Sequence, residues 1–458
     1  MKIVVGNKIK ITDPASDLLA WCKTNLELDN PDFAKKQAMG KWTGNTPRKI
    51  YLYERSGNTL TLPFGCLQKM WAMIGNKATW KSVICDLRAV TYQSGINLYP
   101  YQETAVNEAL KRKNGILVMP CGSGKTQSGL EVIARLGGRA LWLTHTQELL
   151  TQSKERAESV LGVPDDAFGT ITAGKVNIGT HITFATIQTM AKIDLNDYKD
   201  YWDIIIVDEC QHCCGSPTKV TQFYRVVSRL SARYKIGLTA TPKRSDGLEK
   251  SMFALLGGVI HQVDKSAVKS TTCPVKVRQI ETEWVPDYNC IITADGTLDH
   301  SKIIDDLIKD DDRLMFVFDE ILHLGPSVIV LANRVAYLQK LCAAYNDMGH
   351  KALCLSGAAK EERKEALRRL NAGELDCIFA TYQLAKEGLD VPDLRYVVFV
   401  TPEKDETTVT QAAGRVGRKA DGKEYGTVID FVDPGLPKFE KWAKKRKAIY
   451  KRLDYDII

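Results

Sequence analysis

Three short segments hold residue types suited to acting on phosphates. Met119-Pro-Cys-Gly-Ser-Gly-Lys-Thr126 combines two glycines, a lysine and two hydroxyl residues between an apolar run and an amphipathic one. Gly122 and Gly124 free backbone N–H groups to wrap phosphate oxygens, with Pro120, Cys121 and Ser123 completing the loop, and a helix starting there adds its positive dipole end. Lys125 is placed to reach the β- and γ-phosphates of ATP, and the Thr126 hydroxyl suits Mg²⁺. Val207-Asp-Glu-Cys-Gln211 closes another apolar run with paired carboxylates. Asp208 would hold Mg²⁺ through water, and Glu209 would orient and deprotonate an attacking water. Far downstream, Gln411-Ala-Ala-Gly-Arg-Val-Gly-Arg418 supplies a glutamine and two arginines. Arg415 and Arg418 are the residue type that stabilises charge on a transferring γ-phosphoryl group. Their distance from the loop in sequence implies a second domain completing the first one's site, so that hydrolysis depends on domain closure.

The elements that must position these segments are legible from periodicity. Residues 97–268 read as strand–helix units, with buried strands at Ile116-Leu-Val-Met119, Ala140–Leu143, Ile182–Phe184, Ile204–Val207 and Ile236–Leu238. Continuous apolar runs of this length fit a parallel sheet covered on both faces. The pattern restarts near residue 313, with strands at Val328–Leu331, Ala352–Leu355, Cys377–Phe379, Val397–Val400 and Thr427–Ile429 and a charged helix over Lys360–Leu370. The expected fold class is therefore α/β, with two tandem doubly wound parallel-sheet domains behind a small α+β domain. The expected boundaries are an accessory domain at 1–95, a first α/β domain at 96–268, a connector at 269–312 and a second α/β domain at 313–458. In the accessory domain a helix is expected over Ala15–Leu26. A hairpin is expected between Lys49–Tyr53 and Thr59–Leu62, across Ser56-Gly-Asn58. Trp42, Trp71 and Trp80 lie among Lys35, Lys36, Lys41, Arg48 and Lys49; a place in the core is their expected role, with base stacking as the alternative.

Composition narrows the setting. The 458 residues are 44% hydrophobic and 26% charged, as in soluble globular proteins. No apolar run approaches the roughly 20 residues of a membrane span, so a cytoplasmic location without membrane contact is expected. The 12 cysteines are scattered, which fits reduced thiols. Cys210, His212, Cys213 and Cys214 form a lone Cys-x-x-Cys cluster, and zinc there would pull apart the hydrolytic strand end, so a metal role is set aside. The net charge of +8 is concentrated at the C-terminus, where Lys438, Lys441, Lys444, Lys445, Arg446, Lys447, Lys451 and Arg452 crowd together. Contact with nucleic-acid phosphates and a solvated face over an inward-packed Trp442, Ile449 and Tyr450 are both open for that helix.

Over residues 97–431 the ordered motifs resemble superfamily 2 helicases and translocases. The resemblance implies a nucleic-acid-stimulated ATPase on two RecA-like domains, using ATP and Mg²⁺. Leu98-Tyr-Pro-Tyr-Gln102 looks like the adenine-reading segment, with Gln102 on the base edge and Tyr101 as stacking partner. Met119 departs from the general loop pattern, which has glycine there. Thr144-His-Thr-Gln-Glu-Leu149 and Ala185-Thr-Ile-Gln188 look like strand-tracking motifs and imply phosphate contacts from Thr146, Thr186 and Gln188. Asn333, Arg334 and Thr381 fall where the second domain would contact the strand. Gly388-Leu-Asp-Val-Pro392 looks like the coupling loop, implying roles for Gly388 and Asp390 near the nucleotide. Gln211 stands in place of the histidine of the DEAH pattern and can still bridge toward Thr239-Ala-Thr241. Thr241-Pro-Lys-Arg-Ser-Asp-Gly247 has the form seen in XPB-type, UvsW-type and restriction-enzyme motors. This implies duplex or branched DNA as substrate, in phage or mobile-element replication or recombination and with proteins of those processes as partners. RNA stays open, because RNA-directed motors share every catalytic motif. Two rivals are a nucleotide-switched sensor without productive turnover and an ordinary phosphate-loop kinase or transport ATPase, against which the second domain's Gln/Arg motif speaks.

Overall fold

Alternation and continuity in the apolar pattern become, respectively, a one-sided sheet and two covered ones. In the computed structural model, residues 1–458 are described except 121, 217–219, 243–246, 269–271, 294–295, 356–359, 387–390 and 392. Two units result, Met1–Ala267 and Val268–Ile458.

The first unit begins with a five-stranded sheet in the order Glu54–Ser56, Thr59–Pro63, Lys8–Thr12, Lys2–Val5, Thr79–Ser82. Ile9, Ile11, Leu60 and Leu62 point inward while Lys8 and Lys10 alternate outward. The helix Ser16–Asn25 covers the apolar face with Leu18 and Cys22. The hairpin turns at Gly57, whose φ of 53° is left-handed, but it pairs Glu54–Ser56 with Thr59–Pro63. Lys49–Tyr51 pairs instead with Glu27–Asp29. A tight turn fixes register for the residues beside it, and the earlier run is free to find another partner. Trp42 and Trp71 are not core residues: they are 86% and 53% exposed. The helix Leu67–Ile74 buries Met70 and Ile74, which leaves Trp71 outside, tilted against Trp80 at 4.9 Å between ring centroids.

An eight-stranded sheet follows, ordered Lys175–Asn177, Phe168–Thr172, Ile182–Thr186, Ala140–Thr144, Ile204–Val207, Tyr234–Thr239, Asn114–Val118, Val259–Gln262. All pairings are parallel except that of the outermost Lys175–Asn177. The accessory sheet packs on this domain through backbone as well as side chains. A Cβ on Gly65 would lie 2.4 Å from Gly257 N and Phe253 O, so glycine alone permits that approach.

The second unit is a seven-stranded sheet, parallel throughout, in the order Ala352–Leu355, Cys377–Thr381, Val328–Ala332, Tyr396–Phe399, Gly426–Val432, Val275–Glu281, Asp456–Ile457. Val275–Glu281, from the stretch expected to connect the domains, pairs with Gly426–Val432 along its whole length. The helix Asp311–Leu322 is anchored by Arg313, whose guanidinium reaches Asp433 at 2.6 Å in a fully buried pair and also donates to Tyr337 Oη and Val400 O. On the terminal helix Pro437–Arg452, Trp442, Ile449 and Tyr450 pack inward. Arg446 is no part of the basic surface: it is 1% exposed and pairs with Asp430 at 2.8 Å. It lies on the buried stripe with Trp442 and Ile449, where a guanidinium persists only if paired. Among the described residues no helix is long and apolar enough to cross a membrane.

Candidate active site and nucleic-acid interface

In the first unit the strands Ile204–Val207, Tyr234–Thr239 and Asn114–Val118 are consecutive neighbours. Their carboxyl ends deliver the acidic pair, the Thr239–Thr241 segment and the phosphate loop to one edge of the sheet. The loop is held in shape by its own residues. Gly122 and Gly124 have φ of 77° and 75°, and Gly124 caps the helix Lys125–Leu136. The Ser123 hydroxyl donates to Pro120 O at 2.7 Å. Cys121 lies outside the described residues.

Gln102, expected on a base edge, has its amide engaged with the loop. Its Nε2 donates to Ser123 O at 2.8 Å, and its Oε1 accepts from Tyr99 N at 2.8 Å. A Cβ on Gly124 would fall 2.3 Å from that Nε2. The Tyr101 hydroxyl also donates to Ser123 O, at 3.3 Å, and its ring stacks on Tyr99 at 5.7 Å. Pro100–Arg112 is thus a helix whose first turn buttresses the loop.

Lys125 Nζ stands 4.0 Å from Glu209 Oε1. Glu209 follows the strand at φ 47°, a left-handed conformation for a non-glycine residue, and its N–H donates to Asp208 Oδ1 at 2.9 Å. Strain of this kind is held only where surrounding contacts over-determine it. The contacts are on hand: Gln211 Nε2 donates to Glu209 Oε2 at 2.7 Å, and Gln211 Oε1 accepts from the Thr239 hydroxyl at 2.6 Å. Thr239 Oγ1 in turn accepts from Thr241 N at 3.1 Å. Burial and the Glu209 carboxylate push Asp208 up to about 7, while Lys125 pulls the other way. The Asp208 carboxylate and the Thr126 hydroxyl are hard oxygen donors of the kind that Mg²⁺ takes, and they are the residues that would hold it. Cys210 and Cys213 are buried, the former beneath Gly237.

The residues expected to track a strand, Thr146, Thr186 and Gln188, are engaged locally. Thr146 caps the helix Gln147–Val160, accepting from Leu149 N at 3.3 Å. Thr186 is 5% exposed and donates to Thr189 Oγ1. Gln188 Nε2 donates to His145 O at 2.7 Å. The His145 ring stacks on His212 at 4.7 Å, joining the tracking segment to the acidic one; nothing in the spacing of those histidines announces this.

In the second unit Gln411 and Arg415 lie on the helix Glu406–Arg415, and Arg418 in the turn beyond it. Asp405 caps the helix through Thr408 N and Thr408 Oγ1. Arg418 is fixed by a backbone bridge to Thr272 and by Lys423 Nζ on its carbonyl at 3.0 Å. Asn333 donates from Nδ2 to Pro402 O at 3.1 Å, and Arg334 Nε to Asp305 Oδ1 at 2.8 Å. Thr381 ends the strand Cys377–Thr381. Gly388 and Asp390, and residues 243–246 of the Thr241–Gly247 stretch, lie outside the described residues.

A family model described as "Type III restriction enzyme, res subunit" matches residues 95–244, and one described as "Helicase conserved C-terminal domain" matches residues 313–420. With these two domains in this order, the chain belongs to the superfamily 2 helicases and translocases, built on two RecA-like domains. It is 26% identical over 422 residues to "Putative ATP-dependent RNA helicase L396" of Acanthamoeba polyphaga mimivirus, covering 89% of this chain and 77% of that protein. To "DNA 3'-5' translocase XPB2" of Sulfurisphaera tokodaii it is 24% identical over 409 residues, covering 80% and 88%. Among solved structures, the ATP-dependent Type ISP restriction-modification enzyme LlaBIII bound to DNA matches with a TM-score of 0.57 and 17% identity, over 79% of this chain and 30% of that one. At such identity the likeness speaks for the fold.

Proposed function

We propose that the chain is an ATP-driven motor that translocates on duplex or branched DNA, acting in phage or mobile-element replication or recombination in the host cytoplasm. The observation that carries the ATPase reading is the contact chain Lys125–Glu209–Gln211–Thr239, which ties a phosphate-binding lysine to a base and the base to the Thr239–Thr241 segment. In this reading Lys125 and the loop amides bind the triphosphate of ATP. Thr126 and Asp208 hold Mg²⁺, which would neutralise charge on the phosphate oxygens. Glu209, aimed by Gln211, takes the proton of the attacking water. Arg415 and Arg418, with Gln411 beside them, stabilise charge on the transferred group, and turnover therefore waits on both domains.

Support for DNA comes from Gln211 at the DEAH histidine position, from the Thr241–Gly247 form and from the DNA translocase among the relatives. Exposed Trp42, next to Lys41 in sequence, and exposed Trp71 suit base or sugar contacts from the accessory domain. ATP turnover across single-stranded, duplex, forked and four-way DNA and duplex RNA tests this. Forked or duplex DNA should stimulate most; strongest stimulation by RNA would overturn the substrate assignment. The relative named as an RNA helicase makes RNA the second reading.

A further inference from the structure

Within the first unit, the polar face of the accessory sheet and the first α/β domain wall a cavity of about 890 Å³. On the sheet side, Lys10 stands opposite Thr61, and Thr61 opposite Glu54 on the next strand, so the three side chains form one row across three strands. The other wall comes from Tyr224 and Arg225 of the helix Gln222–Val227, from Arg229 in the turn beyond it, and from Ile193 and Leu195 beyond the helix Ile187–Met190. Asn7 Nδ2 donates to Ser228 O at 2.8 Å and pins the two walls together.

The cavity carries uncompensated positive charge. Glu54, the one carboxylate among the described lining residues, is paired with Lys8 at 2.7 Å. The Arg225 guanidinium meets the Ala191 carbonyl at 3.4 Å, and a carbonyl does not cancel its charge. Among the described residues Lys10 and Arg229 have no carboxylate partner, and both are exposed. Tyr224 is a second, independent sign of a ligand. It lines the cavity and is 6% exposed, yet among the described residues its hydroxyl has no hydrogen-bond partner. Burial, and then the Glu54 carboxylate, push the phenol above its ordinary range, so it stays a donor near neutral pH. The rest of the lining includes an aliphatic strip of Ile193, Leu195 and Val220, the last 54% exposed. Sites for nucleic-acid strands pair cations with aromatic faces on which bases stack. Tyr224 is the one aromatic ring among the described lining residues, and it is too buried to offer a face. Cations, a phenol donor and an aliphatic strip together suit carboxylates carried beside an aliphatic side chain. The volume lies near the upper end of the roughly 300–1,000 Å³ typical of ligand sites, which leaves room for several side chains.

We propose that this cleft docks an acidic segment of a partner protein, with carboxylates on Lys10, Arg225 and Arg229, an acceptor on the Tyr224 hydroxyl and an aliphatic side chain against Ile193 and Val220. Docking of this kind is separate from ATP turnover and does not depend on the motor reading. Selection of a displayed library of short random peptides on the full-length protein tests it. Peptides enriched on the wild-type protein should combine aspartate or glutamate with an aliphatic residue. The most enriched of them, labelled, should bind the double variant Lys10→Glu/Arg229→Glu roughly tenfold or more weakly, the substituted side chains being exposed ones. Tyr224→Phe, which keeps the ring and loses the hydroxyl, should bind it roughly threefold more weakly. ATP turnover without nucleic acid should stay at the wild-type level in both variants. Enrichment without acidic residues, or equal affinity of the enriched peptide for the double variant, overturns the proposal. Unchanged peptide binding together with lost affinity for duplex DNA in the double variant marks the cleft as a nucleic-acid contact, and overturns it as well.

Discussion

Thr239 donates its hydroxyl hydrogen to Gln211 Oε1 at 2.6 Å, inside the first unit and between two adjacent strand ends. The same Gln211 holds Glu209 through its other amide atom. One side chain therefore couples the carboxylate that would act on water to the segment Thr239–Thr241.

Replacing Gln211 with Leu leaves the Thr239 hydroxyl without this partner in a buried place. A loss of stability of about 1–3 kcal/mol is expected. Glu209 loses its orienting contact as well, so kcat should fall by roughly tenfold to a hundredfold while the KM for ATP changes little. Steady-state ATPase kinetics and denaturant titration separate the two effects. A rise in KM alone would show that Gln211 serves binding instead.

Gly124 carries a second expectation. A methyl group there would meet Gln102 Nε2 at 2.3 Å, on a backbone with φ of 75°. Left-handed backbone costs an alanine about 1–2 kcal/mol, so Gly124→Ala should weaken ATP binding roughly tenfold or more. Gln102→Ala should weaken it in the same direction by removing the shorter of the two hydrogen bonds to the Ser123 carbonyl. Calorimetric titration with a non-hydrolysable ATP analogue measures both, and unchanged affinity in the pair would contradict the buttress role of the Pro100–Arg112 helix.

Lys235 gives a pH dependence whose sign is fixed. It is 1% exposed, with Nζ donating to Leu230 O at 2.8 Å and Val227 O at 3.2 Å, and lies 4.7 Å from the Phe64 ring. Burial lowers it to about 7 from 10.5. Between those values the unfolded chain binds more protons, so stability rises with pH there, by about 1 kcal/mol per pH unit above the folded value. Buried thiols act oppositely: Cys22 and Cys66 are pushed up to about 12 from 9.0, so stability drops as the unfolded thiols ionise. Asp208, pushed up to about 7, also opposes the Lys235 slope around that pH, so the clean window is from about pH 8 to 8.5. Lys235→Met should flatten the slope there and raise stability at pH 7; an identical slope in that variant would show the lysine stays charged in the fold.

Much of this arrangement is written locally. The strands are continuous apolar runs, and the loop glycines, the acidic pair and the Gln/Arg segment each announce their chemistry within a few residues. What local pattern does not carry is partner choice. Lys49–Tyr51 looks like one arm of the nearest hairpin and pairs elsewhere. Arg446 reads as surface charge until Asp430, on a strand, is brought beneath it. Trp42 and Trp71 read as core because aromatic residues usually are, yet both stay more than half exposed. The cleft around Tyr224 draws on residues near positions 10, 61, 193 and 229, and only the packing of the accessory sheet on the first α/β domain assembles them.

The proposal that hydrolysis needs the arginines of the second unit is tested most directly by Arg418→Ala. DNA-stimulated ATP turnover should fall by roughly 10³ or more, while binding of a non-hydrolysable ATP analogue to the Lys125 loop persists. Wild-type turnover in that variant would contradict it.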